Sequence, residues 1–359
     1  RIVQPDTKLA TTRRWHCSSL AEDFGVAEAT EDDLYAAMDW LLARQDTIEQ
    51  KLAARHLRED ALVLYDLSSS WFEGSCCPLA KRGYSRDGRP GTLQVNYGLL
   101  TDARGCPVAV SVFEGNTADS VTFLPAVQRV RERFGLAQVV MVGDRGMVSQ
   151  KAIDELRGQG GIDWITALKS VSIRSLVEHG HLQLGLFDQR NLAEITSPDY
   201  PGERLVACRN DALAKLRAHK RESLLQATET LLALIKASVD AGRLTGQDKI
   251  GVQVGKIINR HKVAKHFELS IGQASLSWAR RQGAIDAEAA LDGLYVIRTS
   301  LSEQRMDAPD CVRSYKALAN VDRAFRSLKT VDLKVRPVHH RLPDRVRAHI
   351  LLCMLSYYV

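Results

Sequence analysis

Two apolar runs, each closed by an aspartate, constrain this chain most. ALVLYD (61–66) and QVVMVGD (138–144) are short, rich in β-branched residues, and followed at once by polar or glycine-rich residues. Runs that are apolar throughout, rather than alternating, fit strands covered on both faces by helices. In open α/β sheets, ligands bind at the C-terminal edge of the central strands. If these two strands are parallel neighbours, Asp66 and Asp144 project into one crevice. Close carboxylates repel unless a proton or a cation lies between them, and oxygen-rich sites of this kind suit Mg²⁺ or Mn²⁺. A single strand-end Asp serves equally well as a turn former. Gly143 and Gly146, flanking Asp144 in GDRG, would let a phosphate backbone approach closely.

The surrounding pattern supplies the rest of a mixed sheet. Residues 32–58 have helical periodicity with an acidic first turn. After the loop KRGYSRDGRPG (81–91), LQVNYGLLT (93–101) and PVAVSVFEG (107–115) form a hairpin across DARG. Residues 119–134 predict an amphipathic helix, SQKAIDELRGQ another, and DWITALK (163–169) a strand. The order β-β-β-α-β-α-β predicts a mixed α/β sheet with helices on both faces. Residues 170–292 break this rhythm and read as an insertion: a strand at 204–210, a long charged helix over 211–241, a turn and a second helical region. GLYVIRTS (293–300) predicts a strand, and 310–330 and 341–358 predict helices. The resulting segments are 1–60, helical; 61–169, first part of the core; 170–292, insertion; and 293–359, second part of the core.

Seven scattered cysteines without a CxxC pair point to reduced thiols rather than a disulfide framework or zinc site. No run of about 18 apolar residues exists to span a membrane, and the first residues lack a signal-peptide core; the expected location is cytoplasmic. The chain begins without Met and stops at SYYV within an apolar helical pattern, as a trimmed chain would. Net charge is +6, and it is concentrated. Residues 312–349 hold ten Lys or Arg against three Asp, which suggests a polyanion partner.

That basic region contains SYKALANVDRAFRSLKT (314–330). On a continuous helix, Leu318, Val321, Phe325 and Leu328 form an apolar stripe. Tyr315, Asp322 and Lys329 recur every seven residues and form a second stripe about a quarter-turn away. Asp322 therefore borders the core, where it could reach the crevice of Asp66 and Asp144. Equally, it could form an exposed pair with Arg326, worth about 0.3–0.5 kcal/mol.

Together, YDLSS (65–69), EGNTADS (114–120), VGDRGM (142–147) and SYKALANVDRAFRSLKT…RPVHHRLPDRVRAH resemble bacterial insertion-sequence transposases of the DDE type. The branch is the one marked Tyr-x2-Arg-x3-Glu-x6-Lys, and the resemblance covers residues 61–358. It implies a ribonuclease-H-like core with a large insertion before the helix bearing the third acid. It also implies metal-dependent cleavage and strand transfer of DNA. Asp66, Asp144 and Asp322 then take the catalytic, metal-holding positions, with two Mg²⁺ or Mn²⁺ ions. Tyr315, Lys329, Arg323, Arg326, Arg336, Arg341 and Arg345 take the DNA-binding role, joined by Arg347, with His339 and His340 lining the groove. Trp164 and Trp278 are placed either in cores or against a flipped base. The implied partners are double-stranded DNA, both terminal repeats and target, and a second copy of the chain, at the nucleoid. Two motif positions depart: the Arg falls on Leu318, and the Glu on Asp322, one methylene shorter. Two other readings follow, a ribonuclease-H-like nuclease without strand transfer and a DNA-binding remnant with impaired catalysis.

Overall fold

The computed structural model describes residues 2–17, 19–187, 191–330 and 332–359. Its strands are β1 (Ala61–Trp71), β2 (Lys81–Arg82), β3 (Leu93–Thr101), β4 (Pro107–Glu114), β5 (Val139–Gly143), β6 (Ile162–Ala167), β7 (Leu192–Ile195), β8 (Arg204–Arg209), β9 (Phe267–Ile271), β10 (Leu276–Arg280) and β11 (Leu294–Thr299). The helices used below are α1 (Glu31–Leu42), α2 (Gln45–His56), α3 (Gln150–Gln159), α4 (Asp211–Asp240), α5 (Gln247–Ile258), α6 (Ala308–Lys316), α7 (Leu318–Lys329) and α8 (Pro343–Tyr358). Two compact units result. One is Arg1–Lys169 with Pro198–Leu205 and Ile297–Val359; the other is Ser170–Ser197 with Val206–Val296. Among the described residues no helix is long and apolar enough to cross a membrane.

The first unit holds the expected mixed sheet, in the order β2-β3-β1-β5-β6-β11 with β4 also on β3. β1, β5 and β6 run parallel, while β3 is antiparallel to β1 and β11 is antiparallel to β6. Val63, Leu64, Tyr65, Met141 and Val142 are at most 1% exposed, as continuous apolar strands covered on both faces must be. α7 lies over β1, burying Val321, Ala324, Phe325 and Leu328; the Phe325 ring meets Tyr97 edge-on at 5.7 Å.

Three expected helices are interrupted. Residues 32–58 form α1 and α2, with a break at Ala43 and Arg44. α1 begins on a capping box between Thr30 and Asp33. After the break, α2 directs Glu49 inward, where it accepts from the Val110 N–H at 3.1 Å and pairs with Arg129. Residues 119–134 form a 3₁₀ turn, a short α-helix and a π-turn, and Arg129 at the π-turn reaches Ser111 at 2.9 Å. The third break, at Ala317, separates α6 from α7. Tyr315 therefore lies at the end of α6 and Asp322 in α7, although Ala317 between them keeps helical backbone angles.

In the second unit, α4 runs 30 residues from an Asn210 cap. Its Leu225, Leu232, Ile235 and Val239 pack with Ile250, Val254 and Ile258 of α5. The second helical region is only partly helical: residues 267–280 form the hairpin β9–β10. FELSI and LSWAR each alternate burial with exposure, a period of two that marks strands.

Phe325 joins α7 to the sheet, so Phe325→Ala should cost about 3–5 kcal/mol, read as a lowered urea midpoint. A loss below about 1 kcal/mol would show that α7 is held by its other contacts.

Candidate active site

Parallel pairing of β1 with β5 runs from Ala61↔Val139 to Tyr65↔Gly143. The next residue on each strand is an aspartate, Asp66 on one and Asp144 on the other. β5 stops there, but β1 does not. Asp66 lies in mid-strand rather than at a strand end, because LSSSW continues the antiparallel ladder with β3 as far as Trp71↔Gln94. The serines accept burial there because they are hydrogen-bonded: Ser70 Oγ meets Tyr97 Oη at 2.9 Å, and Ser69 Oγ accepts from the Arg86 N–H at 3.1 Å. Asp66 is half-buried and accepts from the Leu67 N–H at 2.8 Å. Asp144 is exposed, and its carboxylate accepts from the Tyr315 hydroxyl at 2.9 Å. Gly143 has an internal reason to be glycine: a Cβ there would lie 3.0 Å from Val148.

α7 brings the third acid. Asp66, Asp144 and Asp322 line one cavity of about 610 Å³. Arg326, Lys329 and Arg336 line it too, so most of the expected groups converge. Burial pushes the Asp66 carboxyl up to about 7; the Leu67 N–H opposes this, and the charges of Asp322 and Asp144 add to it. Asp322 is also raised, by burial and by Asp144, against the pull of Arg326 and Lys329. Burial and the neighbouring Asp144 raise the Tyr315 hydroxyl. Crowded acids that resist ionising are what a divalent cation relieves, and an all-carboxylate donor set fits hard cations.

The three acids are not yet gathered as tightly as ligands. Among the described residues, the trio of donors within 4.8 Å of one another is His56, Asp102 and Cys106. Arg104 already fills that place. Its Nε donates to Asp102 at 2.9 Å and its terminal nitrogen approaches His56 Nδ1 at 3.3 Å, so a second cation would meet a guanidinium.

Other expected residues stand apart. Arg323 and Arg341 are exposed and do not line the cavity. Arg345 stacks on Tyr35 at 4.0 Å and faces Asp39 at 3.6 Å, and Arg347 pairs with Asp344 at 2.7 Å. His339 lies 4.0 Å from Glu73, and His340 approaches Lys8 at 3.1 Å. Trp164 is buried in β6, and Trp278 packs on the core of the second unit.

The loop between β1 and β3 supplies residues that sequence reasoning passed over. Arg86 lines the cavity and pairs with Asp119 of EGNTADS. Its neighbour Asp87 has a side chain only 1% exposed and binds Lys329 at 3.0 Å and also Arg336. In SRDGR these charges look like a solvated turn; only the distant α7 makes them a site.

A family model described as transposase DDE domain matches residues 69–359. No curated protein sequence matches the chain. Among solved structures, the piggyBac transposase synaptic complex with hairpin DNA aligns with a TM-score of 0.41 and 9% identity, covering 84% of this chain and 47% of that one. The Mos1 transposase paired-end complex with left transposon end gives 0.21 and 11%, over 48% and 62%. The Mos1 mariner paired end complex with Mn gives 0.19 and 16%, over 41% and 50%. The chain thus spans less than two thirds of the length of each.

The Asp66 shift has a measurable consequence. A carboxyl whose pKa rises on folding, here from 3.8 to about 7, stabilises the fold fully below 3.8. That contribution is lost as pH climbs through about 7. With a chelator present, Asp66→Asn should therefore gain melting temperature relative to the native chain between about pH 5 and about pH 8. A difference that does not change with pH would contradict the assignment.

Proposed function

The chain belongs to the family of transposase DDE domains, and on that premise we propose that it cuts and rejoins DNA by phosphoryl transfer at the cavity bounded by Asp66, Asp144 and Asp322. The observation that supports this reading is the convergence on one cavity of three carboxylates from β1, β5 and α7 with Arg326, Lys329 and Arg336.

Members of this family use divalent metal ions. In this chain Asp66, Asp144 and Asp322 would hold Mg²⁺ or Mn²⁺, two ions in our reading. If bound there, such ions would lower the pKa of a nucleophilic water or 3′-hydroxyl and would offset charge on the phosphate. The protein's own groups do the positioning. The Tyr315 hydroxyl holds one oxygen of Asp144. Lys329, Arg326 and Arg336 present cations to the DNA backbone, contacts that set position without reading sequence. Leu318 offers no such contact, and Arg86, at the same cavity, stands in for it.

Asp322 keeps the charge of the family's Glu but withdraws it by one methylene, and ligands need placement within about 0.5 Å. That shortening also favours a second reading, a DNA-binding remnant with impaired catalysis. The substrates in the first reading are double-stranded insertion-sequence ends and target DNA, paired by two copies of the chain at the nucleoid.

Titration calorimetry with Mn²⁺ tests the reading. The native chain should bind, and Asp66→Asn or Asp144→Asn should weaken binding by more than about tenfold; no binding, or binding indifferent to both changes, overturns it. In a strand-transfer assay with pre-cleaved ends, Asp322→Glu should react faster than the native chain. An equal or lower rate would mean that α7 already delivers the shorter acid correctly, and cutting without joining would favour a nuclease.

A further inference from the structure

Asp87 is an unusual residue for the wall of a DNA site. Its side chain is only 1% exposed, yet it lines the cavity that holds the three acids. One carboxylate oxygen accepts from the Trp71 N–H at 3.0 Å, which ties it to the end of β1. The other accepts from Lys329 Nζ at 3.0 Å and from Arg336. Arg336 Nε in turn donates to the Lys329 carbonyl at 3.2 Å, and its guanidinium lies 4.9 Å from the Trp71 ring centroid. Arg89 covers Trp71 as well, at 4.0 Å. Two cations thus share one buried anion, and the group keeps a net positive charge.

We propose that Asp87 is a positioning residue that fixes Lys329 and Arg336 as a pair, so that both meet the same stretch of DNA backbone beside the three carboxylates. A long lysine would otherwise sample many rotamers, and ordering it costs entropy at the moment of binding. A buried carboxylate tied to β1 carries that order in advance. One Lys329 donor is used by Asp87, and an ammonium has three. Burial lowers the Lys329 pKa, and Arg336 and Arg86 lower it further, while Asp87 acts against them. The carboxylate therefore also helps keep the lysine charged.

The inference rests on the DNA reading above, and salt dependence separates the two. Each phosphate neutralised contributes about −0.9 to the slope of log K against log salt for duplex DNA. Binding of a duplex of about 30 base pairs is measured across salt for the native chain, Lys329→Gln and Asp87→Asn. Asp87→Asn retains an acceptor for the Trp71 N–H and raises the net charge by one. If Asp87 positions the cations, this variant should lose about 1–2 from the magnitude of the slope and bind about tenfold more weakly at 0.1 M salt, despite its added charge. A slope that is unchanged or steeper, as removal of a mere counter-charge would give, overturns the proposal. If Asp87→Asn does not fold, Asp87→Asn/Lys329→Gln replaces the ion pair with two neutral amides. That pair should show a slope no steeper than Lys329→Gln alone; a steeper one overturns the proposal. A native chain with no salt slope would overturn both this inference and the DNA reading.

Discussion

The parallel register of β1 and β5 is the constraint on which the site depends. Tyr65 opposes Gly143, so the two chains carry their aspartates out of the paired region at the same level. A slip of one residue would turn every β1 side chain to the opposite face, moving Asp66 away from Asp144 and forcing Val63, Leu64 and Tyr65 out of the packing each now fits. The core that surrounds these strands holds the register, since Val63, Leu64, Met141 and Val142 are all sealed from solvent. Function at this edge is thus a by-product of a well-packed interior. β3 adds a second tie, because its antiparallel ladder with β1 continues past Asp66 to Trp71. The carboxylate is consequently fixed by backbone on both sides.

Around this rigid floor, charge is distributed unevenly and with purpose. Burial raises the Asp66 carboxyl to about 7, and the charges of Asp322 and Asp144 add to the shift. Three of the four cations at the wall are held by acids outside the triad: Arg86 by Asp119, and Lys329 with Arg336 by Asp87. Such pairs in a low-dielectric wall add little net stability, since desolvation offsets attraction. What they supply is orientation. In the proposed function such anchored cations would define where a phosphate rests, whereas a basic cavity without them would attract DNA but not place it.

Much of this was legible in the sequence, and the limits are physical. Strand identity was clear because continuous apolar runs have few other homes, and the paired contexts of Asp66 and Asp144 pointed to one edge. The apolar face of α7 was also readable, since Val321, Phe325 and Leu328 recur at helical spacing. The break at Ala317 was not, because no proline or glycine marks it and periodicity averages across a single residue. Asp87 was invisible for another reason. Its partners lie 242 and 249 residues away, and a charged Gly-rich loop has the same composition whether it is solvated or sealed. The β9–β10 hairpin was missed because FELSI and LSWAR are short and sit beside strong helical signals.

Whether the three carboxylates form one metal centre is most directly tested by diffraction from crystals soaked in Mn²⁺, using the anomalous signal of the ion. The expected result is a peak in the cavity within about 2.5 Å of carboxylate oxygens from both Asp66 and Asp144, with Asp322 at or near the same ion. A peak held elsewhere, or none in this cavity at Mn²⁺ concentrations that saturate the protein in solution, would contradict it.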